Sequence, residues 1–81
     1  MSNETIKGLE RMIEVVLRSI PKEREAYTLY LNTSKTAINE MTRLLFEKLA
    51  SQELEHESKL RAVLELLRNE RERQLKPSTP H

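Results

Sequence analysis

Residues 42–70 read TRLLFEKLASQELEHESKLRAVLELLRNE, and this stretch decides the fold. Its seam runs Thr42, Phe46, Leu49, Glu53, His56, Leu60, Val63, Leu67, Glu70, in steps of three and four residues. That spacing is the stripe of a helix packed in a bundle. Leu44, Leu45, Leu64 and Leu66 add apolar surface beside it. The stripe is broken in its middle by Glu53 and His56, at positions where a core would take leucine.

Upstream, the same alternation runs through Ile6, Leu9, Ile13, Val16, Ile20, Glu23, Tyr27, Tyr30 and Ser34, with Met12, Leu17, Ala26 and Leu31 widening the stripe. Pro21 interrupts it, since proline lacks an N–H and crowds the preceding turn, yet the seam keeps its phase. The spacing predicts one helix over about 3–35, kinked or broken near Pro21. The Thr, Ser and Asn residues between Thr33 and Asn39 favour local side-chain bonds over helix continuation. The turn is therefore placed at about 36–39, and a second helix at about 40–73, with Asn39 as its N-cap. Residues 1–75 form one helical domain in this reading, and 76–81, with two prolines and no apolar periodicity, read as a disordered tail.

Composition narrows the function. The chain has 81 residues and no cysteine, which excludes disulfides, thiolate metal sites and cysteine nucleophiles. A chain this short usually needs metal or self-association to be stable. A net charge of +1 suggests neither nucleic acid nor an anionic membrane as partner. No apolar run reaches membrane-spanning length and no signal-peptide core is visible, so the expected compartment is the cytoplasm. Two antiparallel helices, each roughly 50 Å long at 1.5 Å per residue, leave much of their apolar stripes wet. The fold class is all-α: a long antiparallel two-helix hairpin that dimerises into a four-helix bundle.

In such a hairpin Glu23 comes level with Glu53 and His56, all on the interior face. Burying ionised carboxylates without compensation costs several kcal/mol each, and a metal centre supplies the compensation. Glu53-Leu-Glu-His56 puts two ligands three residues apart on one helical face. Alone, that motif is weak in a chain whose 13 acids are all Glu. The coincidence of Glu23 at the same height strengthens it. Di-iron carboxylate bundles draw one Glu from each of two helices and Glu-x-x-His from each of the other two. This chain holds half that set, and a two-fold dimer completes it around two divalent ions.

The segment Glu23-Arg-Glu-Ala-Tyr-Thr-Leu-Tyr30, with Ala three and Tyr seven residues after the Glu, resembles the first ligand motif of rubrerythrins and other ferritin-like proteins. Leu45-Phe-Glu-Lys-Leu-Ala-Ser-Gln-Glu-Leu-Glu-His56 is similar to their second motif. Having one helix pair rather than two, the chain is most similar to the encapsulated ferritins. That resemblance implies a ferritin-like four-helix bundle and a ferroxidase that oxidises Fe(II) to Fe(III) for iron storage or oxidative-stress protection. It implies metal ligands Glu23, Glu53 and His56, with Glu53 bridging, and a di-iron cofactor of two ions per dimer, for which Zn or Mn are substitutes. It also implies a homodimer, a higher ring-like oligomer and an encapsulin shell around it. Lys76–His81 lacks the apolar, glycine-containing targeting peptide of those proteins, and Lys22 and Leu29 depart from their pattern, while Glu25 fits a metal-entry acid.

Tyr30 joins the catalytic set as a hydroxyl for a ligand carboxylate or an electron donor; Tyr27 reads as a core aromatic. Glu25, Glu55 and Glu57 are expected in solvent, with Glu55–Lys59 and Glu57–Arg61 as surface pairs. The interleaved Arg68, Arg71, Arg73 and Lys76 read as a solvated helix end. The alternative function is a metal-stabilised or purely structural helical dimer without turnover.

Overall fold

The computed structural model describes residues 3–76. The tail expected over 76–81 lies, apart from Lys76, outside the described residues. Two helices make up the fold: α1, Asn3–Lys35, and α2, Glu40–Leu75. They pack against each other as a hairpin. Neither is long and apolar enough to cross a membrane.

α1 runs through Pro21 without a break. The proline removes one intrahelical hydrogen bond, but Ile13, Val16 and Ile20 on the same stripe hold the helix against α2 on the N-terminal side of it. At its C-terminal end the helix tightens: Thr36 N–H donates to Thr33 O at 3.1 Å and Ala37 N–H to Ser34 O at 3.3 Å. These shorter bonds satisfy carbonyls that the α-helical ladder leaves open. Ser34, buried, turns its hydroxyl back to Leu31 O at 2.6 Å.

Asn39 then starts α2. Its backbone is extended (φ −153°, ψ 170°), and its side-chain oxygen accepts from Thr42 N–H at 2.8 Å, an N-cap in the usual geometry. The helix continues two residues past Arg73, the expected end. Arg73 pairs with Glu70, and Lys76 N–H donates to Glu72 O at 3.1 Å, so the last turn is closed by its own residues.

Between the helices, Ile13, Val16 and Leu64 are buried, with Ile20, Leu60 and Leu67 packed beside them. Ala50 and Ser34 fill the half nearer the turn with small side chains. The hairpin is one helix thick, 66 × 22 × 12 Å, and its radius of gyration is 18.8 Å. A compact domain of this length would have about 12 Å. Domains normally bury a core between two layers; this hairpin is one layer.

The α2 face that meets α1 is rotated from the expected seam. Phe46, Glu53, Leu60 and Leu67 lie at the contact, but they alternate with Ala50, Glu57 and Leu64 rather than with Leu49, His56 and Val63. Leu49 and Val63 are 38% and 42% exposed, and Val63 lines an open groove with Met12 and Val15. The physical reason is size and charge. Ala50 lets the backbones approach, and Glu57 finds a counter-charge on α1.

Candidate metal centre

Near the middle of the hairpin α1 presents Glu23, and α2 presents Glu53 and His56 one turn apart. One ligand atom from each of the three lies within 4.8 Å of the others, a spacing that could hold a single cation. His56 Nδ1 is 3.4 Å from Glu23 Oε2 and 3.7 Å from Glu53 Oε2. The two carboxylates are enclosed, with side chains 26% and 16% exposed, while His56 is 53% exposed. The sequence-derived trio thus comes together in the folded chain.

The electrostatics suit a cation. Glu53's carboxyl is pushed above the usual carboxylate range by a hydrogen bond with Glu23, then by desolvation and by the charge of Glu23, with His56 pulling the other way. Two acids this close, one holding its proton more tightly because of the other, mark a place where positive charge is lacking. A divalent ion between them would neutralise both carboxylates. Glutamate oxygens with an imidazole nitrogen suit Fe, Mn or Zn.

The cluster opens onto a cavity of about 300 Å³ lined by Ser19, Glu23, His56, Lys59, Leu60 and Val63. Val63 also lines the adjoining apolar groove of about 400 Å³, with Met12, Val15, Val16, Leu67 and the Arg11 side chain. The cluster thus borders an open side of the hairpin.

Tyr30 is not drawn into the cluster. Its ring packs on Phe46, centroids 6.4 Å apart and planes at 40°. Tyr27 is half-buried, with the Arg24 guanidinium 5.5 Å from its ring centre. Glu25 and Glu55 are exposed, as read from the seam.

Glu57 corrects the sequence reading. It is 6% exposed, not solvated. Arg24 Nη2 donates to Glu57 Oε2 at 3.1 Å, Arg24 Nε lies 3.0 Å from Oε1, and Arg61 Nε donates to Oε2 at 2.9 Å. The Nε–Oε1 approach is an ion contact, not a well-directed hydrogen bond. Arg61 first and Arg24 next hold the Glu57 carboxyl below its usual range. The expected Glu57–Arg61 pair exists, but it belongs to a network between the helices. A signal for it was available: Arg24 and Glu57 are 33 residues apart, the same interval as Glu23 and His56.

Compared with known proteins, residues 14–80 match the family model described as Rubrerythrin. No curated protein and no solved structure matches the chain.

Proposed function

Because the chain belongs to the rubrerythrin family, whose members typically bind iron, we propose that it is a ferroxidase acting on Fe(II) at Glu23, Glu53 and His56 of two paired chains. The observation that carries this reading is the convergence of the three ligand atoms within 4.8 Å beside an open apolar groove. One chain offers three ligands; a second copy laid on the Met12, Val15, Val63 groove would bring three more and cover the apolar surface at the same time. Two helix pairs then form the four-helix bundle that one layer cannot.

In this reading Fe(II) is the substrate, and each ion gives up one electron, so that a pair reduces peroxide to water or O2 to peroxide. The chain's own residues bind and neutralise. Glu53 and Glu23 bind the ion as carboxylates, and four carboxylates from two chains balance two divalent ions. His56 supplies a nitrogen ligand from the rim of the cavity. Leu60 and Val63 limit water beside it.

The test is aerobic Fe(II) oxidation followed by absorbance, with wild type, Glu53→Ala and His56→Ala at equal concentration, alongside the mass in solution by light scattering. The expected result is loss of most of the oxidation rate in both variants and a wild-type mass of a dimer or a multiple of it. Equal rates in all three proteins would sink the ferroxidase reading. Tight metal binding without oxygen consumption would instead leave a metal-stabilised dimer holding Zn or Mn.

A further inference from the structure

We propose that Arg24 and Glu57 are positioning residues that set the rotation and axial register of the two helices so that Glu23 and His56 meet at metal-binding distance. This rests on the metal-site reading above.

The two contacts are consecutive. Arg24 follows Glu23 on α1, and Glu57 follows His56 on α2, with the same interval of 33 residues in each pair. A step of one residue turns a side chain by about 100° around a helix of 3.6 residues per turn. The ion pair therefore grips the hairpin from the flank next to the metal-binding face, at the same height. Glu57 is held from two directions, by one hydrogen bond and one ion contact from the planar Arg24 guanidinium on the facing helix and by Arg61 one turn further along its own. A planar guanidinium on a carboxylate has directional preference that a point charge lacks.

The need for such a grip is visible. Ligand tips stand ~5–6 Å from a helix axis, so a rotation of about 10° displaces them by about 1 Å, whereas metal sites tolerate roughly 0.5 Å. The fully buried apolar side chains Ile13, Val16 and Leu64 lie on the side of the cluster away from the turn, and the fully buried positions on the turn side are the small Ala50 and Ser34. Like charges on Glu23 and Glu53 act to spread the helices where the ligands must stay close. Arg24–Glu57 opposes that spreading at the same level of the hairpin.

The test compares wild type, Glu57→Gln, Arg24→Lys and the double variant Arg24→Leu/Glu57→Leu. Each full-length protein is titrated with Co(II), read by calorimetry and by the visible spectrum of the bound ion, and melted without metal. An apolar pair of similar volume often replaces a buried ion pair without loss of stability. The double variant is therefore expected to melt without metal at or above the wild-type temperature, yet to bind Co(II) at least tenfold more weakly with an altered spectrum. Arg24→Lys, which keeps the charge but not the planar guanidinium, is expected between the two. Wild-type affinity and spectrum in the double variant would overturn the positioning role. Should the double variant not fold, wild-type Co(II) binding in both Glu57→Gln and Arg24→Lys would overturn it equally. A wild-type protein that binds no Co(II) would remove the metal site itself, and the inference with it.

Discussion

Replacing Glu53 by Gln is the sharpest single perturbation of the cluster, because it acts in opposite directions with and without metal. In the metal-free chain, Glu23 and Glu53 place carboxylate oxygens within 4.8 Å of each other. Coulomb's law at that distance gives about 3.5 kcal/mol of repulsion at an effective dielectric of ~20, and about 0.9 kcal/mol in bulk water. With side chains 26% and 16% exposed, an intermediate value of about 1–2 kcal/mol is appropriate. Glu53→Gln keeps the shape and removes this charge, so the metal-free variant is expected to melt about 5–10 °C higher than wild type. Adding Mn(II) at a hundredfold excess over its Kd stabilises a binding-competent protein by about 2.7 kcal/mol. Wild type gains this and the variant does not, so the order of melting temperatures inverts between EDTA and Mn(II). Circular dichroism melts at pH 8, at one fixed protein concentration, read the effect. A variant that melts below wild type in EDTA, or that gains as much from Mn(II), would refute the reasoning.

The pH dependence of the metal-free protein separates the two buried acids. Glu53 holds its proton more tightly folded than unfolded, so its contribution is present below the unfolded value and is lost as pH rises through the higher folded one. Glu57 is the reverse, contributing above the unfolded value and losing it as pH falls through the lowered folded one. Melting temperature against pH should thus fall on both sides, and Glu53→Gln should remove only the decline at higher pH; an unchanged profile would contradict the tighter hold of Glu53 on its proton. Asn39→Ala deletes the cap on Thr42 N–H and is expected to cost about 1 kcal/mol, with Asn39→Asp near wild type in urea melts. Val63→Glu puts a charge in the open apolar groove; size-exclusion with light scattering should show the mass falling to that of one chain, and an undiminished mass would place self-association elsewhere.

The hairpin and the three clustered side chains were legible because each depends on a strong local rule. Helical period carried both helices, and the loss of apolar residues at Glu23, Glu53 and His56 pointed to one height. The face of α2 was harder. Leu49, His56, Val63 and Ala50, Glu57, Leu64 flank the same central line, and apolar content favours the first set. The second set meets α1 because a small residue and a paired charge satisfy close contact as well as leucine does. Periodicity ranks residues by hydrophobicity and is blind to a carboxylate that brings its own guanidinium. Tyr30 shows a similar limit: the spacing to Glu23 was right for a shared face, but its ring packs on Phe46.

The distribution of contacts along the hairpin has a consequence for how the chain folds. From the Asn39 turn outward, partners in the two helices are separated by ever longer stretches of chain: Tyr30 and Phe46 first, then Glu23 and His56, and last Val16 with Leu64. A zipper starting at the turn closes first over Tyr30 and Phe46 with the small Ser34 and Ala50, and reaches the buried Ile13, Val16 and Leu64 only at the far end. Closing longer loops costs only slowly growing entropy, so distance alone adds little to the cost of closing that end. The acids at mid-length stand between the two halves of that journey, and a cation arriving there would act as a clasp on the half-closed chain.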